Sequence, residues 1–181
     1  MNLNELRDEA YYIAKANGWH EEEHSDNHWL MLILTEIAEA VQADRENLHA
    51  DVEAFKKYEE IIDFKENFER QIKNTVEEEL SDVVIRCLNF SGLHVFDLQN
   101  LFNEPVDGDV LEEMFRGKTF AEIAFRICDD IFFSTAEAAT YRVIYDVVQY
   151  CRFVDIDIDF FIRTKMKYNR LRGYHHGGKK Y

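Results

Sequence analysis

The chain has 181 residues, with 36 acidic against 21 basic side chains and a formal net charge of -15. Phosphate backbones are held by basic surface, so this balance excludes a broad DNA- or RNA-binding face, and no nucleic acid polymer is expected as a partner. A content of 46% hydrophobic and 14% aromatic residues excludes a largely disordered protein, and no apolar run approaches the roughly 20 residues of a membrane span.

The start, Met1-Asn2-Leu3-Asn4-Glu5, lacks the basic and apolar regions of a signal peptide, which leads us to expect a soluble, cytoplasmic protein without a membrane partner. Three widely spaced cysteines, Cys87, Cys128 and Cys151, sit among apolar neighbours and read as reduced core residues.

Helical periodicity dominates, proline occurs once, and period-two alternation is absent, which predicts an all-α fold. A first helix is expected from Asn4 to Ala16, stopping at Asn17-Gly18. Asp26 or Asn27 is positioned to cap a second, whose residues Leu30, Ile33, Leu34, Ile37 and Val41 form a core-facing stripe. Residues 49–74 are charged and helical in pattern. A strong helix from Val76 to about Gly92 should bury Val76, Leu80, Val83, Val84 and Cys87. A short helix is expected over Asp97 to Asn103, and Glu104-Pro105-Val106-Asp107-Gly108 reads as a linker. Thr119 with Glu122 and Ser134 with Glu137 both have capping-box spacing, predicting helices that run to about Phe132 and Phe153. A last helix near Asp159 to Leu171 leads into a glycine-rich tail.

Two acidic pairs carry most of the functional information. Glu36 and Glu39 lie on the second helix, and Glu79 and Asp82 on the helix beginning at Val76, each pair spaced i,i+3 on one face. Packed together, these helices would gather four like charges, a costly arrangement that a cation relieves. Di-iron bundles use Glu-x-x-His motifs, and neither pair contains histidine, so an oxygen-only donor set points to Mg2+, with Mn2+ as a substitute. One turn beyond Asp82 stands Arg86, whose expected partner is Asp82 itself, a phosphate contact being the alternative. Glu77 and Glu78 fall on other faces and are expected to be exposed. From Phe161 onward there is no acid, while Arg163, Lys165, Lys167, Arg170, Arg172, Lys179 and Lys180 supply seven of the 21 positive charges. Acids that hold cations and a basic end that holds anions are the complementary requirements of a metal polyphosphate.

An ungapped overlay of Glu77–Leu98 on Glu137–Ile158 keeps the apolar stripe in register but sets Ala139 against Glu79 and Arg142 against Asp82. We therefore expect a single all-α domain over 1–181, with a metal-binding half at 1–104, a second half at 109–172 that is a degenerate copy or, alternatively, a chance likeness of amphipathic helices, and a basic tail at 173–181.

The segment Trp29-Leu30-Met31-Leu32-Ile33-Leu34-Thr35-Glu36-Ile37-Ala38-Glu39-Ala40, then Glu79-Leu80-Ser81-Asp82-Val83-Val84, then Lys165-Met166-Lys167-Tyr168-Asn169-Arg170-Leu171-Arg172, resembles the three blocks of the MazG-like all-α nucleoside triphosphate pyrophosphohydrolase family. The resemblance implies Mg2+-dependent cleavage of a nucleoside triphosphate, ribo or deoxy, to the monophosphate and pyrophosphate. It places the metals on Glu36, Glu39, Glu79 and Asp82, and makes Lys165, Asn169 and Arg172 contacts to phosphate or sugar. The chain departs from the family in having Thr35 where an acid usually stands and in a longer Glu39-to-Glu79 interval, which suggests an extra excursion over the site. Compact members complete their bundle as dimers or tetramers; a homodimer is thus one alternative, and a duplicated chain building the bundle alone is the other.

For the base, Trp29 is the best single candidate to stack, with Trp19, His20, His24 and His28 nearby and Asn27 available for a base-edge hydrogen bond; a core or surface role is the leading alternative for each. Two other function classes fit the same residues: a catalytically silent nucleotide-binding module, and an interaction protein whose acids are merely solvated.

Overall fold

The computed structural model describes residues 1–102, 106–178 and 180, and every element among them is helical. In chain order these are α1 (Leu3–Ala16), α2 (Asp26–Arg45), α3 (Val52–Tyr58), α4 (Phe64–Gln71), α5 (Val76–His94), α6 (Gly108–Phe115), α7 (Phe120–Phe132), α8 (Ala136–Phe153), α9 (Ile158–Leu171) and a short turn, α10 (His175–Gly178). No helix is long and apolar enough to cross a membrane among the described residues. All three cysteines are free thiols.

Local chemistry sets most boundaries. Asn2, Asp51, Asp63, Thr75, Asp107, Thr119, Thr135 and Asp157 each accept a hydrogen bond from an amide in the first turn of the helix that follows. The Thr119–Glu122 capping box forms reciprocally. Ser134 does not cap α8. Thr135 takes that place, and Glu137 turns instead to accept the Tyr141 hydroxyl at 2.8 Å. At α2 the N-cap is Ser25, with no side-chain bond, while Asp26 is the first helical residue and pairs with His94 of α5 at 2.9 Å. Residues 49–74 fold as two short helices, α3 and α4.

The helix expected from Asp97 is a set of turns through 102. Side chains of α1 satisfy this stretch in place of a helical ladder: Asn4 accepts from the Leu98 amide and donates to the Asp97 carboxylate, and Arg7 donates to the Phe96 carbonyl. Asn103, and Glu104 and Pro105 of the expected linker, lie outside the described residues. Gly108 opens α6, a helix that the linker reading missed.

Helix α5 packs against α1, α2, α8 and α9, which explains why residues around much of its circumference are buried. Gly92 lets α1 approach it closely: a Cβ there would stand 2.5 Å from Cβ of Tyr11. Contacts of α2 with α5, α7 with α8, α5 with α8 and α2 with α7 close a four-helix core. A second cluster joins α3 and α4 to α9 through Phe55, Phe68, Ile72, Phe161 and Tyr168.

Much of the burial in α5 recurs in α8 at a constant offset, although Val76, Glu78, Ser81 and Phe90 are buried where Ala136, Ala138, Tyr141 and Tyr150 are only partly so. Leu80, Val83, Val84, Cys87, Leu88, Asn89 and Ser91 correspond to Thr140, Val143, Ile144, Val147, Val148, Gln149 and Cys151, all buried. The stripe Leu30, Ile33, Leu34, Ile37 and Val41 of α2 likewise aligns with Phe120, Ile123, Ala124, Ile127 and Ile131 of α7. On these offsets the ion pair Arg86–Glu36 maps onto Asp146–Arg126, the same bridge with its charges exchanged.

Candidate active site

Side-by-side packing of α2 and α5 brings both acidic pairs to the wall of one cavity of about 440 Å³. Its other walls come from α1, α9 and the Lys73-Asn74 turn before α5. The volume lies within the range of small-molecule sites. The carboxylates do not form one symmetric quartet. Ligand oxygens of Glu36, Glu39 and Glu79 lie within 4.8 Å of one another, as do those of Glu78, Glu79 and Asp82, so Glu79 belongs to two overlapping triads.

Glu78 corrects the expectation of an exposed side chain. It is 1% exposed and lines the cavity. One oxygen accepts the Asn74 amide at 2.9 Å, and the other pairs with the Lys165 ammonium. The sequence carried a signal for this, because Thr75-Val76-Glu77-Glu78 has capping-box spacing, and Thr75 does cap α5. What differs from the ordinary motif is that the acid reaches Asn74, held in the left-handed region at φ 61°, rather than the cap residue itself. Glu77 is half-buried and accepts from His49 and the Ala50 amide.

The cations are distributed unequally. Arg86 donates to Glu36 at 2.8 Å, not to Asp82, because the neighbouring helix presents a buried carboxylate that needs a partner. Lys165 is 5% exposed and lies between Glu78 and Asp82, 2.5 Å from an Asp82 oxygen, with its ammonium over the Phe68 and Tyr168 rings. Arg172 rests over the Tyr168 ring at 5.8 Å and lines the cavity. Asn169 is buried in the wall. Its carbonyl accepts from the Asn17 amide at 3.1 Å, while its side-chain oxygen, Oδ1, has no protein partner. Thr35 donates back to the Leu32 carbonyl at 2.6 Å and lines the same cavity.

These contacts shape the electrostatics. Burial pushes the Glu79 carboxyl up to about 9, with Glu78 and Asp82 adding to the effect. Glu36 is raised by burial and by Asp82, against the opposing pull of Arg86. Glu78 is raised by burial and by Asp82, against Lys165. Burial would lower the Lys165 ammonium, but Asp82 and Glu78 outweigh it and hold the group firmly charged. Carboxylates gathered this closely, offering only oxygen donors, fit a hard divalent cation.

The aromatic residues divide between two cavities. Trp29 is buried against Leu32 and Phe90 and faces a smaller side cavity rather than the acidic one. Trp19 lines both cavities and stacks on His175 at 4.7 Å. Asn27 is exposed and lines neither cavity. Asn89, which no motif singled out, stands in the wall of the main cavity with its carbonyl oxygen 2.8 Å from a His20 ring nitrogen. Comparison with known proteins finds no matching family model, no matching curated protein and no matching solved structure.

Proposed function

We propose that this chain is a Mg2+-dependent nucleoside triphosphate pyrophosphohydrolase. The observation that carries the reading is the pair of overlapping carboxylate triads sharing Glu79, set in one cavity that Arg172 and Asn169 also line. Glu36, Glu39, Glu79 and Asp82 would hold Mg2+, which when bound neutralises phosphate charge and acidifies water.

The chain's own groups contribute orientation and charge. Arg86 fixes the Glu36 carboxylate, and Lys165 fixes Glu78 and Asp82, so the acids face the cavity in set positions. Arg172 and Asn169 offer a cation and an acceptor to phosphate and sugar. Water attacks the α-phosphorus, the bond to the bridging oxygen breaks, pyrophosphate departs, and the proton released by the water passes to a carboxylate of the cluster. In the α7–α8 unit, Arg126, Ala139 and Arg142 stand at the positions of Glu36, Glu79 and Asp82, and only Asp129, at the position of Glu39, keeps an acid. We read that unit as a degenerate copy, leaving one site per chain.

One observation favours a second reading. Glu36 and Asp82 are already neutralised by Arg86 and Lys165, as they would be in a module that binds nucleotide without turnover. A pyrophosphate-release screen over the common ribo- and deoxynucleoside triphosphates, with and without Mg2+, separates the two. Mg2+-dependent release supports the enzyme. Calorimetric binding without release selects the silent module.

A further inference from the structure

The cavity is lined by four Lys or Arg side chains among the described residues: Lys73, Arg86, Lys165 and Arg172. Two are already committed, Arg86 to Glu36 and Lys165 to Glu78 and Asp82. Lys73 and Arg172 form no ion pair with any described carboxylate, although five acids line the same cavity. They are the cations that an incoming anion meets without having to break an existing bridge.

Lys73 is also held in place by its backbone. Its amide donates to the Phe68 carbonyl at 3.0 Å, Ile72 before it is buried in the α3–α4–α9 cluster, and Asn74 after it is tied to Glu78. The long interval between the acidic pairs therefore delivers one exposed lysine to the cavity on a fixed turn.

We propose that Lys73, acting with Arg172, is a positioning residue that grips the terminal phosphates of the nucleotide and makes the site select triphosphates over diphosphates. This rests on the pyrophosphohydrolase reading. A triphosphate carries a further phosphoryl group beyond those of a diphosphate, and its negative charge calls for a cation outside the acid cluster.

The test uses the full chain with Mg2+. KM and kcat are measured for a triphosphate substrate, the inhibition constant for the corresponding diphosphate, and binding of a non-hydrolysable triphosphate analogue by calorimetry. Loss of one charge-assisted contact should raise KM and the analogue's Kd in Lys73→Ala by about 10- to 100-fold. The diphosphate constant and kcat should move by less than about threefold. Lys73→Arg should restore most of the affinity, and Lys73→Glu should weaken it beyond the alanine variant.

A Lys73→Ala protein that keeps the wild-type triphosphate KM, analogue Kd and preference over the diphosphate overturns the role of Lys73 while leaving the pyrophosphohydrolase reading standing. Wild-type protein that neither hydrolyses a triphosphate nor binds the analogue overturns both. Since Lys73 is exposed, its replacement should leave the thermal midpoint unchanged.

Discussion

Replacing Lys165 with Met tests the arrangement that holds the acid cluster together. The ammonium is 5% exposed and bridges Glu78, itself 1% exposed, to Asp82. Methionine nearly matches the aliphatic stem, so the change removes charge more than volume. Removing one partner of a buried pair costs about 3–5 kcal/mol, because the remaining charge is left without compensation. Glu78 limits that cost: with Lys165 gone, burial and Asp82 are opposed only by the Asn74 amide and drive it towards the neutral acid.

We therefore expect the lower end, about 3 kcal/mol, which corresponds to a fall in midpoint of roughly 6–12 °C for a domain of this size. Urea unfolding followed by circular dichroism should show a lower midpoint at unchanged slope. The double variant Glu78→Gln, Lys165→Met should recover most of the loss, since neither buried group is then charged, giving a coupling of about 2 kcal/mol in the mutant cycle. A single variant within about 1 kcal/mol of wild type, or singles that simply add in the double, would refute the argument.

Glu39→Gln and Asp82→Asn should each abolish pyrophosphate release while preserving the far-ultraviolet dichroism spectrum, and full activity in either would remove that residue from the site. Gly92→Ala sets helix propensity, a gain of about 1 kcal/mol, against overpacking of about 1–3 kcal/mol where the new Cβ meets Tyr11. With a separation of 2.5 Å the clash should win, and a raised midpoint would contradict the α1–α5 contact. His20 is lowered below its usual range by burial, with Asn89 opposing and Lys15 and His24 assisting. Its contribution to stability is therefore full above the unfolded value near 6.5 and is lost as pH falls through the lower folded value. Between pH 7 and 5, wild type should lose stability relative to His20→Gln, and parallel curves would count against that assignment. Glu79, with a carboxyl near 9, has the opposite sign: metal-free protein should lose stability as pH rises from 5 to 9, and Glu79→Gln should flatten that slope.

Helical periodicity, hydroxyl and acid caps, and the scarcity of proline and glycine made the all-α architecture legible, because these signals act within a few residues. The i,i+3 acids of α2 and α5 and the basic content of α9 are local signals of the same kind. Partner choice was not legible. Arg86 lies one turn from Asp82 yet binds Glu36, fifty positions away in sequence, because α2 buries a carboxylate opposite it. Glu78 looked exposed on a helical wheel, and it became a buried member of the cluster because α5 is surrounded by other helices. Trp29 was open to stacking or to burial by its sequence, and it packs in a side core with Phe90. Lys73 carried no motif, and only the packing of α3 and α4 on α9 brought it to the cavity. The sequence by itself determined which residues form helices and which faces carry charge. Tertiary packing decided which charges are buried, which are paired and which stay available to a ligand, since burial and partnership depend on what the neighbouring helices present.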